Sequence, residues 1–253
     1  MPLRIYLTGR MCIESGELLL DERQFGGRQC RVALAYLICE RDRPVPRSEL
    51  ADVLWPEAMP RAWETAISAL VSRMRRMFRD LPPAGACSIL SSSGCYELRL
   101  PGGTWIDLEA GTAAIHEAES ALRYGTPKQA WGPANVAATI ARRPFLPGQD
   151  GAWVDRQRGK LHAQLVRALD SLSDVWSANG EFALAVQAAT EAVALEPFRE
   201  TSWNRLMRAH AATGNRAEAL RAFEQCRALL TEELGTEPSP ETEAVYLELL
   251  RSS

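Results

Sequence analysis

Two domains of different class are predicted: an α+β N-terminal half and an all-α C-terminal half. Three observations predict them. Residues 4–25 alternate apolar and polar positions with a period of two, as strands do. Three segments with helical apolar spacing follow, and then two short strand-like runs around Ser92-Ser93-Gly94. Beyond Pro101 strand signals vanish, and a 34-residue repeat appears among helical segments. The division is placed at 1–101 and 102–253.

The first strands come from Ile5 and Leu7 alternating with Tyr6 and Thr8, and from Leu18-Leu19-Leu20, with turns at Gly9-Arg10 and Ser15-Gly16. After Gly26-Gly27, Cys30, Leu34, Leu37 and Ile38 share one helical face, and Pro44 and Pro46 lie beyond the end of that helix. A short second helix has Pro46 near its first position and Leu50, Val53 and Leu54 as its apolar face. Trp55-Pro56 stops it. A third helix is expected from Pro60 to Arg79. Ile67, Leu70, Val71, Met74 and Phe78 form its buried stripe, and Arg61, Thr65, Ser68, Ser72, Arg76 and Arg79 its polar face. Pro82-Pro83 ends it. Strands at Ser88–Ser91 and Tyr96–Leu100 close the half. Strands, three helices and a hairpin in this order make a winged helix-turn-helix domain.

In the second half, Trp105, Ile106 and Leu108 lead into a helix reaching Tyr124, and Gly125-Thr126-Pro127 is a turn. A helix then runs to about Arg142. Pro144, Pro147 and Gly148 mark a loop, and a long helix starts near Trp153. Gly180 and Gly214 lie 34 residues apart, and at the same offset stand Leu172 and Leu206, Ala178 and Ala212, Ala183 and Ala217, Ala185 and Ala219, and Leu195 and Leu229. That period, with Gly at a turn and small residues where two helices cross, is the tetratricopeptide pattern.

Charge and composition bound the function. The chain's 46% hydrophobic and 24% charged residues suit a globular protein with a core. Net charge is -3, so nucleic-acid binding has to rest on local patches. Residues 1–101 carry 14 Arg and no Lys against 12 acidic residues, a slight positive surplus. The six cysteines show no C-x-x-C spacing, and reduced thiols are expected. The start Met1-Pro2-Leu3-Arg4 has no signal-peptide core, and the longest apolar run, Val32 to Cys39, is eight residues. A cytoplasmic protein without a membrane partner is expected. The three histidines fall on separate predicted helices, without metal-ligand spacing. Phosphate-binding, dinucleotide and nucleophile-elbow motifs are missing from the sequence. An enzyme, a metal site and a cofactor are therefore not expected. Asp107, beside a predicted helix start, reads as a cap.

The third helix is the candidate reader of duplex DNA. Its width fits the major groove, where Arg reaches guanine edges and Thr or Ser reaches bases or phosphates. Arg73, Arg75, Arg76 and Arg79 cluster in its C-terminal half, in a pattern suited to phosphates. Ser93 and Arg99 are candidate contacts of the wing. A solvated amphipathic helix would show the same charges, and it is the context of strands and hairpin that favours DNA. Trp55, Glu57 and Met59, between the second and third helices, are candidates for a displayed partner contact, with Trp55 also fitting a core position. The repeats offer a surface for a protein or ligand, and two of them need flanking helices or a second protomer to complete a core.

Several stretches together resemble the SARP family of bacterial activators, which join an OmpR-type winged helix to a bacterial transcriptional activator domain. The stretches are Val45-Pro46-Arg47-Ser48-Glu49-Leu50 with Leu54-Trp55, Val71-Ser72-Arg73-Met74-Arg75-Arg76, Gly94-Cys95-Tyr96-Glu97-Leu98, Gly214-Asn215-Arg216-Ala217-Glu218-Ala219-Leu220-Arg221, and Leu230-Thr231-Glu232-Glu233-Leu234-Gly235-Thr236-Glu237-Pro238-Ser239-Pro240-Glu241. The resemblance implies binding to promoter direct repeats by adjacent protomers and recruitment of RNA polymerase holoenzyme through its sigma factor. It implies that Arg61, Ser72, Arg73 and Arg76 belong to the reading helix; with polymerase as the partner, Trp55, Glu57 and Met59 are the candidate contacts. Glu64, Thr65 and Ser68 depart from the family's usual Arg, Asn and Gln, so a different target sequence is expected. Cys95 stands where the family has Gly. A stand-alone member is expected, with no receiver or ATPase domain. The competing reading is an interaction adaptor, or a ligand-sensing regulator, whose winged helix does not bind DNA on its own; Glu64 and the small positive surplus favour it.

Overall fold

The computed structural model describes residues 3–82 and 85–251. They divide into two compact units, Met1–Ala110 with Arg143–Lys160, and Gly111–Arg142 with Leu161–Ser253. Residues 102–110 and 143–160, which sequence reading places in the helical half, lie in the first unit.

In chain order the first unit contains β1 (Arg4–Tyr6), β2 (Cys12–Ser15), β3 (Leu18–Leu20), α1 (Arg28–Cys39), β4 (Val45–Pro46), α2 (Arg47–Leu54), α3 (Trp63–Arg79), β5 (Ser88–Ser92), β6 (Cys95–Arg99) and β7 (Trp105–Ile106). One sheet has the order β3-β2-β1-β7, a second the order β4-β6-β5. β1 to β3 form an antiparallel meander, as the alternation predicts, and Ile5, Leu7 and Ile13 are fully buried. β7 is a correction. Strands do not vanish beyond Pro101: Trp105 and Ile106, which lead into a helix at Asp107 as expected, also pair in parallel with Arg4 and Ile5. Two residues are too few to show a period.

α1 lies at the centre of this unit. Every residue from Val32 to Ile38 is buried, not only the expected face, because α2, α3 and β6 all pack against it and Trp153 meets Tyr36 edge-on at 5.1 Å. In α2, Leu50 and Ala51 are buried, whereas Val53 and Leu54 are only half-buried near its C-terminus. The α1–α2 junction is tied by polar groups. The Tyr36 hydroxyl donates to Glu49, whose carboxyl is also gripped by Arg43. That grip holds the Glu49 carboxyl below the usual carboxylate range.

Asp107 does more than cap. Its fully buried carboxylate accepts the Leu7 and Thr8 amides, the Thr8 hydroxyl and the Leu108 amide at 2.8–3.0 Å. It therefore pins the end of β1 to the start of the following helix. Burial pushes its pKa up, opposed by those hydrogen bonds. The 143–149 stretch is equally anchored. The Gly9 amide donates to the Pro144 carbonyl at 2.8 Å, and Phe145 is fully buried. Arg158 donates to the carbonyls of Phe145, Leu146 and Gln149.

The second unit draws on α4 (Asp107–Arg123), α5 (Pro127–Ala141), α6 (Ala152–Ala178), α7 (Phe182–Leu195), α8 (Glu200–Ala212), α9 (Arg216–Leu234) and α10 (Pro240–Arg251). The 34-residue repeat is reproduced in detail. Gly180 and Gly214 both have φ +78°, a conformation that glycine adopts without steric cost. The Glu181 amide reaches back to the Trp176 carbonyl, and the Asn215 amide to the His210 carbonyl, the same six-residue closure in each repeat. Ala185 and Ala219 are both fully buried, while Ala183 and Ala217 are both exposed. The core of this unit includes Trp203, Met207, Phe223 and Cys226, with Tyr246 stacked on Phe223 at 4.1 Å. Arg167 and Glu119 form a bidentate pair at 2.7 Å. Among the described residues no helix is long and apolar enough to cross a membrane.

Candidate nucleic-acid interface

The interface is built on α3. Ile67, Val71, Met74, Met77 and Phe78 anchor it. Leu70, expected in the buried stripe, is half-buried, and Met77, missed by the sequence reading, is buried instead. The helix starts at Trp63 rather than Pro60. Ala62 is outside helical geometry at φ -99°, ψ 34°, and the Trp63 amide closes a turn onto the Pro60 carbonyl. Arg61 is exposed but precedes the helix, so its assignment to the helical face is corrected.

At 3.6 residues per turn, Thr65, Ser68, Ser72, Arg76 and Arg79 fall within an arc of about 80°. All five are exposed. Glu64 lies about 40° outside that arc by the same helical geometry, so it flanks the reading face and does not interrupt it. Arg76 and Arg79 make no ion pair or hydrogen bond among the described residues. Both sit in the last turn of the helix, where the dipole favours cations.

Two further arginines mark the edges of this face, and each is engaged. On one edge Arg73 donates to the Gly26 carbonyl at 2.7 Å. Gly26 has φ +74°, and a Cβ there would lie 2.3 Å from Arg73 Nη1. Only glycine lets the guanidinium lie there. On the other edge Arg75 donates through Nε to the Ile89 carbonyl at 2.9 Å and through Nη2 to the Ser91 hydroxyl at 2.6 Å. Arg73 therefore fastens α3 to the loop before α1, and Arg75 fastens it to the hairpin. Sequence reading groups all four arginines as phosphate candidates. It gives no sign of the partition, because the partners lie 47 and 14–16 residues away.

The wing is the β5–β6 hairpin. Ser93 and Gly94 form its two-residue turn at φ +49° and +77°, the signature of a type I′ turn. Cys95 lies in β6 opposite Ser92, outside the turn. Ser93 is thus at the exposed tip. Arg99 is not, because it pairs opposite Ser88 at the base of the hairpin, about 14 Å of strand from the tip, and it donates to Glu97 at 2.9 Å. The structure does not bring Ser93 and Arg99 together. Arg47, quoted above only within a motif, opens α2 beside the wing: its amide donates to the Gly94 carbonyl and its guanidinium lies 5.2 Å from the Tyr96 ring centre.

Trp55, Glu57 and Met59 lie on the loop between α2 and α3. Trp55 is half-buried, and Glu57 and Met59 are exposed. Trp55 and Glu57 line a cleft of 470 Å³ with Arg28, Val32, Leu54 and Asp150 among its other walls. All six cysteines are free thiols, and burial pushes Cys30, Cys87 and Cys226 up to about 11. Among the described residues no group of three His, Cys, Asp or Glu side chains is placed to hold a metal.

The model of the bacterial transcriptional activator domain matches residues 106–250. The regulatory protein AfsR of Streptomyces griseus is 30% identical over 250 residues, covering 99% of this chain and 25% of AfsR. The transcriptional regulatory protein EmbR of Mycobacterium tuberculosis is 29% identical over 227 residues, covering 87% of this chain and 57% of EmbR. The chain thus spans about a quarter of one relative and little more than half of the other. A solved structure of Mycobacterium tuberculosis EmbR in complex with a low-affinity phosphopeptide superposes with a TM-score of 0.88 at 24% identity, over 99% of this chain and 65% of that one. That likeness establishes the fold: an α+β winged helix followed by an all-α, tetratricopeptide-like domain.

Proposed function

The chain belongs to the family of regulators that carry the bacterial transcriptional activator domain, of SARP type, whose members are transcriptional regulators and not enzymes, and from that membership we propose that it activates transcription in the cytoplasm by binding promoter direct repeats as adjacent protomers. One observation carries the DNA reading: the free polar arc of Thr65, Ser68, Ser72, Arg76 and Arg79 on a helix whose opposite side is buried. Thr65 and Ser68 stand at its N-terminal end, which enters the major groove in helix-turn-helix proteins. Arg79 lies 14 residues on, about 21 Å along the axis. That exceeds the roughly 12 Å width of the major groove, so Arg76 and Arg79 reach the backbone while Thr65 and Ser68 read bases. Ser93 at the wing tip, with Arg61 ahead of the helix, extends the contact on either side.

The α2–α3 loop is the surface offered to RNA polymerase holoenzyme. It stands next to the reading helix and displays Glu57 and Met59, with Trp55 holding its root. The helical unit supports contacts between protomers.

The test is selection of duplexes from a random-sequence library with the full chain at low salt, followed by footprinting of a selected site. Arg76→Ala is expected to weaken binding to all duplexes, and Thr65→Ala or Ser68→Ala to change which duplexes are selected. A chain that retains no duplex overturns the reading in favour of the adaptor.

A further inference from the structure

We propose that the cleft at the root of the α2–α3 loop is a binding site for a small organic cation, an ammonium group carried on a flat apolar body. No residue of α3 lines this cleft, so the site is separate from the DNA-reading face, and it does not depend on which protein the loop meets.

All of its walls belong to the first unit: the first turns of α1, the end of α2 with the loop that follows, and residues 150–151. Its volume of 470 Å³ falls within the range of small-molecule sites, roughly 300–1,000 Å³. The apolar surface comes from residues that helical spacing marks for the core. Val53 and Leu54 belong to the predicted apolar face of α2, and Trp55 follows them. All three are half-buried, and all three line the cleft beside Val32. An apolar occupant covers the surface they leave open.

The charges on the walls select the sign of the occupant. Arg28, at the start of α1, donates to the Asp150 carbonyl at 3.3 Å and stands 3.8 Å from the Asp150 carboxylate, so this cation and this anion offset each other. Glu57 makes no ion pair or hydrogen bond among the described residues. One carboxylate is therefore uncompensated, and the Trp55 indole stands two residues before it on the same cleft. A carboxylate attracts an ammonium group by its charge, and an indole does so through its electron-rich face. An anion would meet Glu57 and Asp150 against Arg28 alone. Because the loop supplies part of the wall, an occupant ties it to α1 and to residues 150–151. The site is thus a small-molecule input to the loop that displays Glu57 and Met59.

The experiment titrates the full, isotope-labelled chain with three probes that share one ring system and differ in charge: naphthylmethylamine, naphthylmethanol and naphthylacetate. The readout is the indole N–H resonances of the seven tryptophans. The amine is expected to shift Trp55 along a one-site saturation curve and to leave Trp131, Trp176 and Trp203 of the second unit in place. The alcohol should bind about fivefold more weakly and the acetate about tenfold more weakly. Glu57→Gln should weaken the amine about fivefold, as loss of one exposed charge pair predicts, and leave the alcohol unchanged. Arg28→Gln releases Asp150 and should tighten the amine about threefold; at an anion site it would do the reverse. Arg28 and Glu57 are both exposed, so these variants keep the fold. In the saturated complex the amides of Glu57, Ala58 and Met59 should exchange more slowly with solvent, and unchanged exchange would overturn the input to the loop. Equal affinity for the three probes, tightest binding of the acetate, or an amine titration indifferent to Glu57→Gln overturns the cation site. Shifts as large at Trp131 as at Trp55 mark adsorption to exposed rings and overturn it too. All of these results leave the DNA reading as it stands.

Discussion

Replacing Gly26 with Ala puts a methyl group where the Arg73 side chain lies, 2.3 Å from Nη1 and 2.4 Å from Cδ. The backbone, at φ +74°, is also unfavourable for alanine. Two costs follow. The left-handed backbone costs about 1 kcal/mol. The Arg73 side chain is flexible and moves aside, losing its exposed hydrogen bond to the Gly26 carbonyl, which is worth about 1 kcal/mol. Gly26→Ala should therefore lower stability by about 2 kcal/mol and Arg73→Ala by about 1 kcal/mol. Together they should cost about 2 kcal/mol and not 3, because the clash and the hydrogen bond vanish only once. The assay is urea unfolding followed by tryptophan fluorescence, to which Trp55, Trp63, Trp105 and Trp153 of the first unit contribute. Additive losses in the double variant would refute the idea that this glycine exists to admit the arginine.

Other expectations follow from the same geometry. Asp107→Asn turns amide protons toward the Leu7 and Thr8 amides and should cost about 3 kcal/mol in urea unfolding. Gly180→Ala and Gly214→Ala should each cost about 1 kcal/mol, and near-equal losses are expected because both glycines have φ +78°; a difference of severalfold would argue against equivalent repeats. The Arg167 hydrogen bond holds Glu119 below its ordinary 4.5, and the folded carboxylate therefore binds its proton less readily than the unfolded one. Its contribution is complete above about pH 4.5 and is lost as pH falls through the lowered folded value. Glu119→Gln should flatten the acid limb of a stability–pH curve and leave neutral pH affected by about 1 kcal/mol or less.

How much was legible depends on the range of the interaction that carries each feature. The strands at Ile5 and Ile13, the stripe of α3 and the repeat glycines are governed by local spacing, so the sequence shows them directly. β7 is invisible because its two residues are defined by pairing with β1, about a hundred residues earlier. The near-total burial of α1 has the same origin: its second face is covered by α2, α3 and β6, and only the first face repeats with a helical period. Spacing alone places the start of α3 at Pro60, which suits the first turn of a helix, yet the Pro60 carbonyl closes a turn with Trp63 instead. In the candidate interface, Thr65, Ser68, Ser72, Arg76 and Arg79 were legible as one face. The division of labour among the arginines was not.

That division bears on why a slightly basic domain can present a DNA surface at all. The first 101 residues have a surplus of only two positive charges, too little for long-range attraction to a duplex. Five of the 12 acids in that half are paired with arginines outside α3: Glu22 with Arg31, Glu40 and Glu49 with Arg43, Asp21 with Arg10, and Glu97 with Arg99. Arg76 and Arg79 are left without such partners, so the local field at the C-terminal half of α3 exceeds what the net charge suggests. The two arginines that are engaged, Arg73 and Arg75, add to that field while bonding to neutral carbonyls and a hydroxyl, which do not cancel their charge. Arg75, Arg76 and Arg79 therefore line one edge of α3 together with no carboxylate among them, and only Arg76 and Arg79 need to reorganise when a strand of DNA arrives.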